Sequence, residues 1–268
     1  MKEWLYWFVR GALQLPFRIF VRKLHLDGLE NYPKDKPVFL AVNHPNSFLD
    51  GVVFEAHFKR RIYTLVRGDV FNKPLPNYIL RGLRLLPIFR ARDAAAERAR
   101  KGNEQTSEEV YQLLKKNRTV LIFAEGVSYP EKAVRALKKG TGRMAIEWMK
   151  KSNYELALHI VPTSINYSTF GSLRRDIHVK FGKSIHVPSL KPQIESDENK
   201  VLNVINAHIK SELLKGVVLT KGEEQKNRER LHEMIVNVNR RKFGYIIKNK
   251  WETSIEKVNE ASSDLLTE

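Results

Sequence analysis

The 268-residue sequence contains no cysteine. This absence excludes disulfide bonds and metal sites built on thiolate ligands. It is compatible with a reducing compartment such as the cytosol, although it does not require one. The length allows one substantial hydrophobic core, or one core with a helical appendage. A hydrophobic content of 42% is typical of a globular chain and not of a disordered one.

Long apolar segments are also missing. No part of the sequence approaches the roughly 18 uninterrupted apolar residues expected of a membrane-spanning helix. The first residues lack a clean apolar segment followed by a small-residue cleavage site, so a secretory signal peptide is not predicted.

Acidic residues are few relative to basic ones. The sequence has 30 Asp and Glu against 47 Lys and Arg, which gives a formal net charge of +17. Such a surface attracts polyanions, for example nucleic acid, anionic lipid headgroups or an acidic carrier protein. The sequence contains no recognisable nucleic-acid-binding motif and no aromatic platform of the type used by single-strand binders. We therefore expect no nucleic acid as a partner, and the charge alone leaves both an anionic membrane surface and an acidic carrier protein open.

Residues 1–23 form an amphipathic segment. Its polar stripe, with one member every four residues, consists of Arg10, Gln14, Arg18 and Arg22. Its apolar face consists of Leu5, Phe8, Val9, Ala12 and Leu13, with Trp4 and Trp7 beside it. We interpret the segment as an interfacial anchor, with arginines at lipid phosphates and indoles at headgroup depth. The alternative is a helix packed on the protein's own core. Pro16 is expected to kink or split the helix.

The remaining sequence alternates between strand-like and helix-like segments through about residue 190. Strands are predicted at 38–42, 61–66, 85–90, 119–123, 157–167 and 177–182. The alternation predicts an α/β fold with a single, mostly parallel sheet flanked by helices. Residues 196–217 and 222–265 lack strand signals and are predicted to be helical. We accordingly divide the chain into an N-terminal helix (1–23), an α/β domain (24–190) and a basic helical C-terminal extension (191–268).

The stretch 38–50 carries the strongest chemical signal. Turn-forming residues end the apolar strand 38–42 and place His44 just beyond its carboxyl end, with Asp50 in the helix that follows. Crevices at the carboxyl ends of strands are common active sites in α/β proteins. A histidine there can take a proton from a hydroxyl if a carboxylate fixes its tautomer. The alternative for this stretch alone is a surface pair or a helix-cap contact.

Other predicted strands also end in polar residues. The strand at 85–90 ends in Arg90, with Arg92 behind it, and arginine's planar guanidinium suits bidentate phosphate recognition. The strand at 119–123 is followed by Glu125 and Gly126, a carboxylate and a flexible turn residue. The segment 160–162 (Ile-Val-Pro) interrupts a strand and is interpreted as an apolar lip for an acyl chain.

Taken in order, these four blocks resemble those of the glycerolipid acyltransferase superfamily. The blocks are Asn43-His44 with Asp50, Pro87-Ile88-Phe89-Arg90, Phe123-Ala124-Glu125-Gly126 and Ile160-Val161-Pro162. Five residues separate His44 from Asp50, where the family usually has four. The segment Glu125-Gly126-Val127-Ser128 is similar to the third block of the glycerol-phosphate acyltransferase branch.

The resemblance implies an O-acyltransferase of phospholipid biosynthesis. Such an enzyme moves a fatty acyl group from acyl-CoA or acyl carrier protein to a lysophospholipid or glycerol phosphate acceptor, and needs no metal or other cofactor. It implies catalytic roles for His44 and Asp50. The predicted substrate-binding residues are Asn43, Arg90, Arg92, Glu125, Gly126 and Ser128. The expected location is peripheral (monotopic), on the cytoplasmic face of the inner membrane.

Three alternatives stay open at this point. Ser47 is a rival nucleophile, but a Ser-His-Asp hydrolase would need a Gly-x-Ser-x-Gly elbow, and none occurs. A non-catalytic peripheral membrane protein with the same fold is supported by the five-residue spacing between His44 and Asp50. An acyltransferase of a non-phosphate lyso-lipid would satisfy the same blocks.

Overall fold

The computed structural model describes residues 3–47, 49–58, 60–71, 74–89, 96–168, 170, 173–218 and 245–248. Its helices are α1 (Glu3–Phe20), α2 (Leu49–His57), α3 (Pro74–Gly82), α4 (Ala96–Lys115), α5 (Gly140–Lys151), α6 (Lys191–Ser196) and α7 (Glu198–Gly216). Its strands are β1 (Val21–Asp27), β2 (Val38–Val42), β3 (Ile62–Arg67), β4 (Leu85–Ile88), β5 (Thr119–Phe123), β6 (His159–Tyr167), β7 (Arg175–Phe181), β8 (Ile185–His186) and β9 (Ile246–Lys248).

The strands form one sheet in the order β4-β3-β5-β2-β6-β7-β1-β9, with β8 paired to the start of β6. The five strands from β4 to β6 in this order pair in parallel. β7 pairs antiparallel to β6, and β1 and β9 continue parallel to β7. The prediction of a single, mostly parallel sheet flanked by helices is confirmed. Strand β2, which carries His44 at its end, lies between β5 and β6.

The central strand β2 is buried on both faces of the sheet. Phe39 and Ala41 join the core that lies under α4, α5 and α7. The alternate residues Val38, Leu40 and Val42 join the core on the opposite face, under α1 and α2. A parallel strand covered on both faces carries apolar residues at every position, which explains the uninterrupted apolar run. Each such side chain contributes about 1.5–3 kcal/mol through burial.

Helix α1 packs its polar side against α2. The Arg10 guanidinium is buried and donates to the Phe58 carbonyl at 2.6 Å, and the Gln14 amide donates to the Ala56 carbonyl at 2.8 Å. Carbonyl groups at a helix C-terminus lack intrahelical partners, so α1 supplies the missing donors for α2. The expectation that Arg10 reaches lipid phosphates is therefore wrong. The helix also runs through Pro16 as one element and is not split.

The opposite side of α1 is apolar and exposed. Its exposed large side chains are Phe8, Leu15 and Ile19. Trp7, whose ring lies under the Arg10 guanidinium, and Phe20 are exposed at its borders. Because the polar stripe is used to hold α2, the apolar stripe faces away from the domain. No helix in the described part of the chain has the length and apolarity needed to span a bilayer.

The structure differs from the predicted elements at their ends. Strand β1 begins at Val21, inside the segment assigned to the anchor, and β6 begins at His159, two residues after the predicted start at 157. Helix α7 confirms the helix predicted at 196–217, and its buried side chains extend the core past residue 190.

The C-terminal part contains strand where helix was predicted. Within 222–265, residues Ile246–Lys248 form β9 and pair with Leu24–Leu26 of β1, so the helical prediction is wrong for these residues. The backbone N–H of Leu24 donates to the carbonyl of Tyr245 at 2.9 Å. The pairing depends on an edge strand more than 200 residues earlier in the sequence, which the local pattern does not reveal. The rest of 222–265 lies outside the described residues.

Candidate active site

The carboxyl ends of β2 and β5 lie side by side. Val42 is in register with Phe123, and the Ala124 N–H donates to the Val42 carbonyl at 2.9 Å. His44 and Glu125 follow these two strand ends directly. The parallel sheet thus brings the first and third sequence blocks together, although 80 residues separate them in the chain.

His44 and Asp50 form a buried pair. The His44 Nδ1 lies 2.8 Å from the Asp50 Oδ2; the Asp50 side chain is 0% exposed and that of His44 is 14% exposed. A turn closes the five-residue interval, because the Asp50 N–H donates to the Asn46 carbonyl and the Asn46 N–H donates to the Asp50 Oδ2 at 2.8 Å. The longer spacing therefore still allows the contact. With Nδ1 held by the carboxylate, the Nε2 of His44 is the ring nitrogen left to act on a substrate.

Two aromatic residues contact the pair. The Phe123 ring stacks on the His44 imidazole, with centroids 3.7 Å apart and an interplanar angle of 11°. The hydroxyl of Tyr167, at the end of β6, donates to the Asp50 Oδ1 at 2.5 Å. The sequence predictions did not include Tyr167 as a site residue. Its place at the end of the predicted strand 157–167 is the sequence signal that could have pointed to it.

The burial of Asp50 raises the pKa of its carboxyl group above the usual value. The hydrogen bonds from His44, Tyr167 and the Asn46 N–H oppose this effect, since each stabilises the anion. These donors supply the carboxylate with the partners that water would otherwise provide.

Glu125 lies behind the histidine. Burial raises the pKa of its carboxyl group to about 7, while hydrogen bonds from the backbone N–H groups of His44 and Arg135 act in the opposite direction. One carboxyl oxygen, Oε1, is buried without a hydrogen-bond partner among the described residues. Glu125 therefore holds the backbone at His44, and its Oε1 can accept a hydrogen bond from a further group.

The loop after Glu125 is attached to the His44 turn. Gly126 has a positive φ of 71°, which favours glycine, and a Cβ there would meet the Lys138 side chain at 3.3 Å. The Tyr129 N–H donates to the His44 carbonyl at 3.2 Å. Ser128 is half-buried in this loop. The structure thus brings His44, Asp50, Glu125, Gly126 and Ser128 to one edge of the sheet.

Asn43 is buried beside the pair, but its amide bonds to the protein. The side-chain nitrogen donates to the Ile165 carbonyl at 3.1 Å, and the side-chain oxygen accepts the Ile165 N–H at 2.7 Å. The amide replaces a missing strand pairing between the end of β2 and β6. This geometry gives Asn43 a role in holding the turn that carries His44.

The predicted arginine block is described only up to Phe89, and Arg90 and Arg92 lie outside the described residues. The backbone of Phe89 is fixed on both sides: its N–H donates to the Asn103 side-chain oxygen and its carbonyl accepts from the Asn103 amide, both at 2.8 Å. The ring of Phe89 occupies space left by Gly68 and Gly102, where an added Cβ would meet it at 2.4 Å.

Two of the weaker sequence interpretations change. Ile160 and Val161 are fully buried in the two cores, so the predicted apolar lip at 160–162 is wrong. Ser47 is exposed, and within the described residues its hydroxyl makes no hydrogen bond to His44. The local geometry is therefore not that of a serine nucleophile activated by this histidine.

One cluster has side chains of the metal-binding type. The donor atoms of His25, Asp176 and His178 lie within 4.8 Å of one another and are buried. The two imidazole rings stack 4.4 Å apart and only 7° from parallel, so their lone pairs lie in parallel planes and do not converge. Arg22 also donates to Asp176 at 2.6 Å. The arrangement is that of a packed cluster, whose stacked rings do not aim their nitrogens at one point as a metal site requires.

Comparisons with known proteins agree with this geometry. The family model described as Acyltransferase matches residues 23–166, more than half of the chain. The structure is similar to the crystal structure of the 1-acyl-sn-glycerophosphate (LPA) acyltransferase PlsC from Thermotoga maritima, with 18% sequence identity, a TM-score of 0.53 and coverage of 78% of each chain. A comparison with curated proteins gives no match. The protein that carries the His44–Asp50 pair therefore belongs to the acyltransferase family, as its four sequence blocks predicted.

Proposed function

We propose that the protein is an O-acyltransferase of phospholipid biosynthesis. It transfers a fatty acyl group from a thioester donor, acyl-CoA or acyl carrier protein, to the hydroxyl of a lysophospholipid or glycerol phosphate. The observation that carries the proposal is the 2.8 Å contact between His44 and the buried Asp50 at the carboxyl edge of the sheet. The similarity to the Thermotoga maritima LPA acyltransferase in fold supports the choice of a glycerophosphate acceptor.

In the proposed reaction, His44 is the general base. Its Nε2 takes the proton of the acceptor hydroxyl while the hydroxyl oxygen attacks the thioester carbonyl carbon. Asp50 holds the ring through Nδ1 and stabilises the imidazolium that forms. The tetrahedral intermediate then collapses, the C–S bond breaks, and the imidazolium returns the proton to the departing sulfur. No covalent bond to the protein is needed.

The acceptor is proposed to bind beside Glu125. Its unpartnered Oε1 is available for a substrate hydroxyl, and Gly126 and Ser128 shape the same loop. Lys138, Lys139 and Arg143 follow this loop and are exposed, which favours an anionic acceptor. Arg90 and Arg92 are proposed to bind the acceptor phosphate, since Asn103 fixes the chain directly before them.

We further propose that the enzyme acts as a peripheral membrane protein on the cytoplasmic face of the inner membrane. Helix α1 supports this location. Phe8 and Leu15 on its outer side are 66% and 69% exposed. Isolated exposed apolar residues are common, but a continuous stripe of them on one helix is typical of an interaction surface. The net charge of +17 favours an anionic bilayer.

The proposed function is tested by measuring thiol release with the purified protein on anionic vesicles. Palmitoyl-CoA and palmitoyl carrier protein are each offered with lysophosphatidate, with glycerol 3-phosphate, with a lyso-aminolipid, and without acceptor. Release that depends on a phosphate-bearing acceptor is the expected result and identifies the donor and acceptor together. Release without any acceptor would indicate a hydrolase, and release only with the lyso-aminolipid would replace the proposed acceptor class. No release with any combination would count against catalysis.

A further inference from the structure

Tyr167 touches Asp50 from the opposite side to His44. Its hydroxyl lies 2.5 Å from the Asp50 Oδ1, and both residues are fully buried. They are 117 positions apart in the chain. The contact is possible because β6 is the neighbour of β2 and extends beyond it, so that its last residue reaches the first turn of α2.

The donors of Asp50 are divided between its two oxygens. Oδ2 accepts from the His44 ring and from the Asn46 N–H, and Oδ1 accepts from Tyr167. A short hydrogen bond to one carboxylate oxygen withdraws negative charge from the group and fixes the plane of the carboxylate. Both effects act on the bond that the other oxygen makes with His44.

We infer that Tyr167 is a positioning residue that acts through Asp50 to set the orientation and basicity of His44. The inference rests on the proposed function, in which His44 is the general base. Tyr167 lies one residue beyond the range matched by the family model, and it touches none of the reacting atoms. Its influence on catalysis is entirely indirect.

The surroundings of Tyr167 keep it in the donor role. Burial, and to a smaller extent the neighbouring Asp50 carboxylate, raise the pKa of its hydroxyl well above the usual value, so the proton stays on the oxygen. Arg175 is the charged group that acts in the opposite direction. The position of the ring is fixed by antiparallel pairing with Ile177 of β7 and by contact with the Phe170 ring at 5.9 Å.

The first test does not depend on enzymatic activity. The His44 ring is titrated by NMR in the wild type, in Tyr167→Phe and in Tyr32→Phe, with the resonance assigned from its loss in His44→Ala. Tyr32 is the matched control, because its buried hydroxyl bonds to Thr119 at 2.7 Å and not to Asp50. Loss of the Tyr167 donor leaves more charge on Asp50 for the imidazolium. We expect the pKa of His44 to rise by about one unit in Tyr167→Phe only.

Other charged groups near the His44–Asp50 pair also influence the titration of His44. Asp50 contacts the ring itself, Glu125 bonds to the backbone N–H of His44, and Arg175 acts on Tyr167. Neither substitution removes these groups, so the difference between Tyr167→Phe and Tyr32→Phe isolates the hydroxyl. An unchanged pKa of His44 in Tyr167→Phe would overturn the inference. The titration tests the inference even if no acyl transfer is found. In that case the proposed function fails, and the link between Tyr167 and His44 is still decided by the titration.

The second test is a double-mutant cycle on the transfer rate. Tyr167→Phe should lower kcat about tenfold with KM within about twofold, and should move the acid limb of the pH profile to higher pH. In an Asp50→Asn background, Tyr167→Phe should lower kcat by less than about twofold, because Tyr167 acts on His44 only through the Asp50 carboxylate, which this background lacks. An equal loss in both backgrounds would assign Tyr167 a structural role only.

If Tyr167→Phe fails to fold, the downfield hydroxyl proton expected for the Tyr167–Asp50 bond is sought in the wild type by NMR. The absence of this proton would overturn the inference.

Discussion

The ring of Phe123 lies flat against the imidazole of His44, with the two centroids 3.7 Å apart. Phe123 is the last residue of β5, and the stack covers one face of the histidine with a rigid part of the sheet. The other constraint on the ring is the bond from Nδ1 to Asp50. A stacked face and an in-plane hydrogen bond together fix both the tilt and the rotation of the imidazole.

The stack predicts a specific effect of Phe123→Leu. Leucine preserves most of the apolar volume but has no flat face, so the free energy of unfolding should fall by less than about 1.5 kcal/mol. Although the variant should stay folded, its kcat should be about tenfold lower with KM little changed, because the imidazole is no longer held flat. Phe39→Leu is the control, because Phe39 packs on Trp148 in the core and does not touch His44. Equal kcat values for the two variants would contradict the positioning role.

Asn43→Ala should destabilise the protein. The substitution leaves the buried N–H and carbonyl of Ile165 without their side-chain partners, at a cost of about 2–4 kcal/mol in the free energy of unfolding. Urea unfolding measures this loss. Asn31→Ala is the comparison, since Asn31 donates a single half-buried bond to Phe181 and should cost about 1 kcal/mol. A higher KM with unchanged stability in Asn43→Ala would instead favour direct contact with substrate.

Glu55 predicts a pH dependence of stability. Burial raises the pKa of its carboxyl group from 4.5 to about 7, against the opposing effects of the Tyr6 hydroxyl, Arg84 and Arg10. The folded state therefore keeps a proton that the unfolded chain has released. The resulting stabilisation is fully present below about pH 4.5 and is lost as the pH rises through about 7.

Glu55→Gln removes this titration and still accepts the Tyr6 hydrogen bond. The variant should match the wild type near pH 4 and exceed its free energy of unfolding by up to about 3 kcal/mol at pH 8. The slope should not vanish, because burial also raises the pKa of Glu125 to about 7. Denaturant unfolding between pH 4 and 8 measures the difference. Parallel curves for the two proteins would show that Glu55 is ionised in the folded state.

The outward face of α1 predicts a change in membrane binding. Phe8→Asp with Leu15→Asp places charges on the two most exposed apolar positions described in this helix, so binding to anionic vesicles should fall at least about tenfold. The contacts of Arg10 and Gln14 with α2 are untouched, and the unfolding midpoint should stay within a few degrees. Val204→Asp, at a 54% exposed position of α7, should leave vesicle binding unchanged. Full sedimentation of the α1 variant with vesicles would contradict the anchor.

The fold was predictable from the sequence where local pattern decides the outcome. Strands β2 and β5 are short apolar runs closed by turn residues, and both were predicted at their observed bounds. Since parallel strands align their carboxyl ends, the pattern placed His44 and Glu125 at the same edge of the sheet. That β2 and β5 are neighbours in the sheet is shown only by the structure. The strand β9 was missed because it depends on pairing with a distant edge and not on its own composition.

The side-chain contacts that define the site were harder to predict from the sequence. The amphipathic pattern of α1 does not reveal which side meets the protein. That side combines Arg10 and Gln14, which bond to carbonyls at the end of α2, with the buried Tyr6 and Phe17. The Tyr167–Asp50 bond depends on the pairing of β6 with β2 and on their register, which no periodicity encodes. Two partners of Asp50, His44 and Asn46, lie within six residues of it, whereas Tyr167 is 117 positions away and is not revealed by the local pattern.

The most direct test of the central claim compares His44→Ala with His208→Ala in acceptor-dependent thiol release. His208 is a half-buried histidine whose Nε2 lies 2.8 Å from the Lys183 carbonyl, so it controls for the loss of an imidazole. We predict that His44→Ala loses about 10²–10⁴-fold in rate while retaining vesicle binding, and that His208→Ala stays within about twofold of the wild type. A His44→Ala protein that transfers acyl groups at the wild-type rate would contradict the assignment of His44 as the general base.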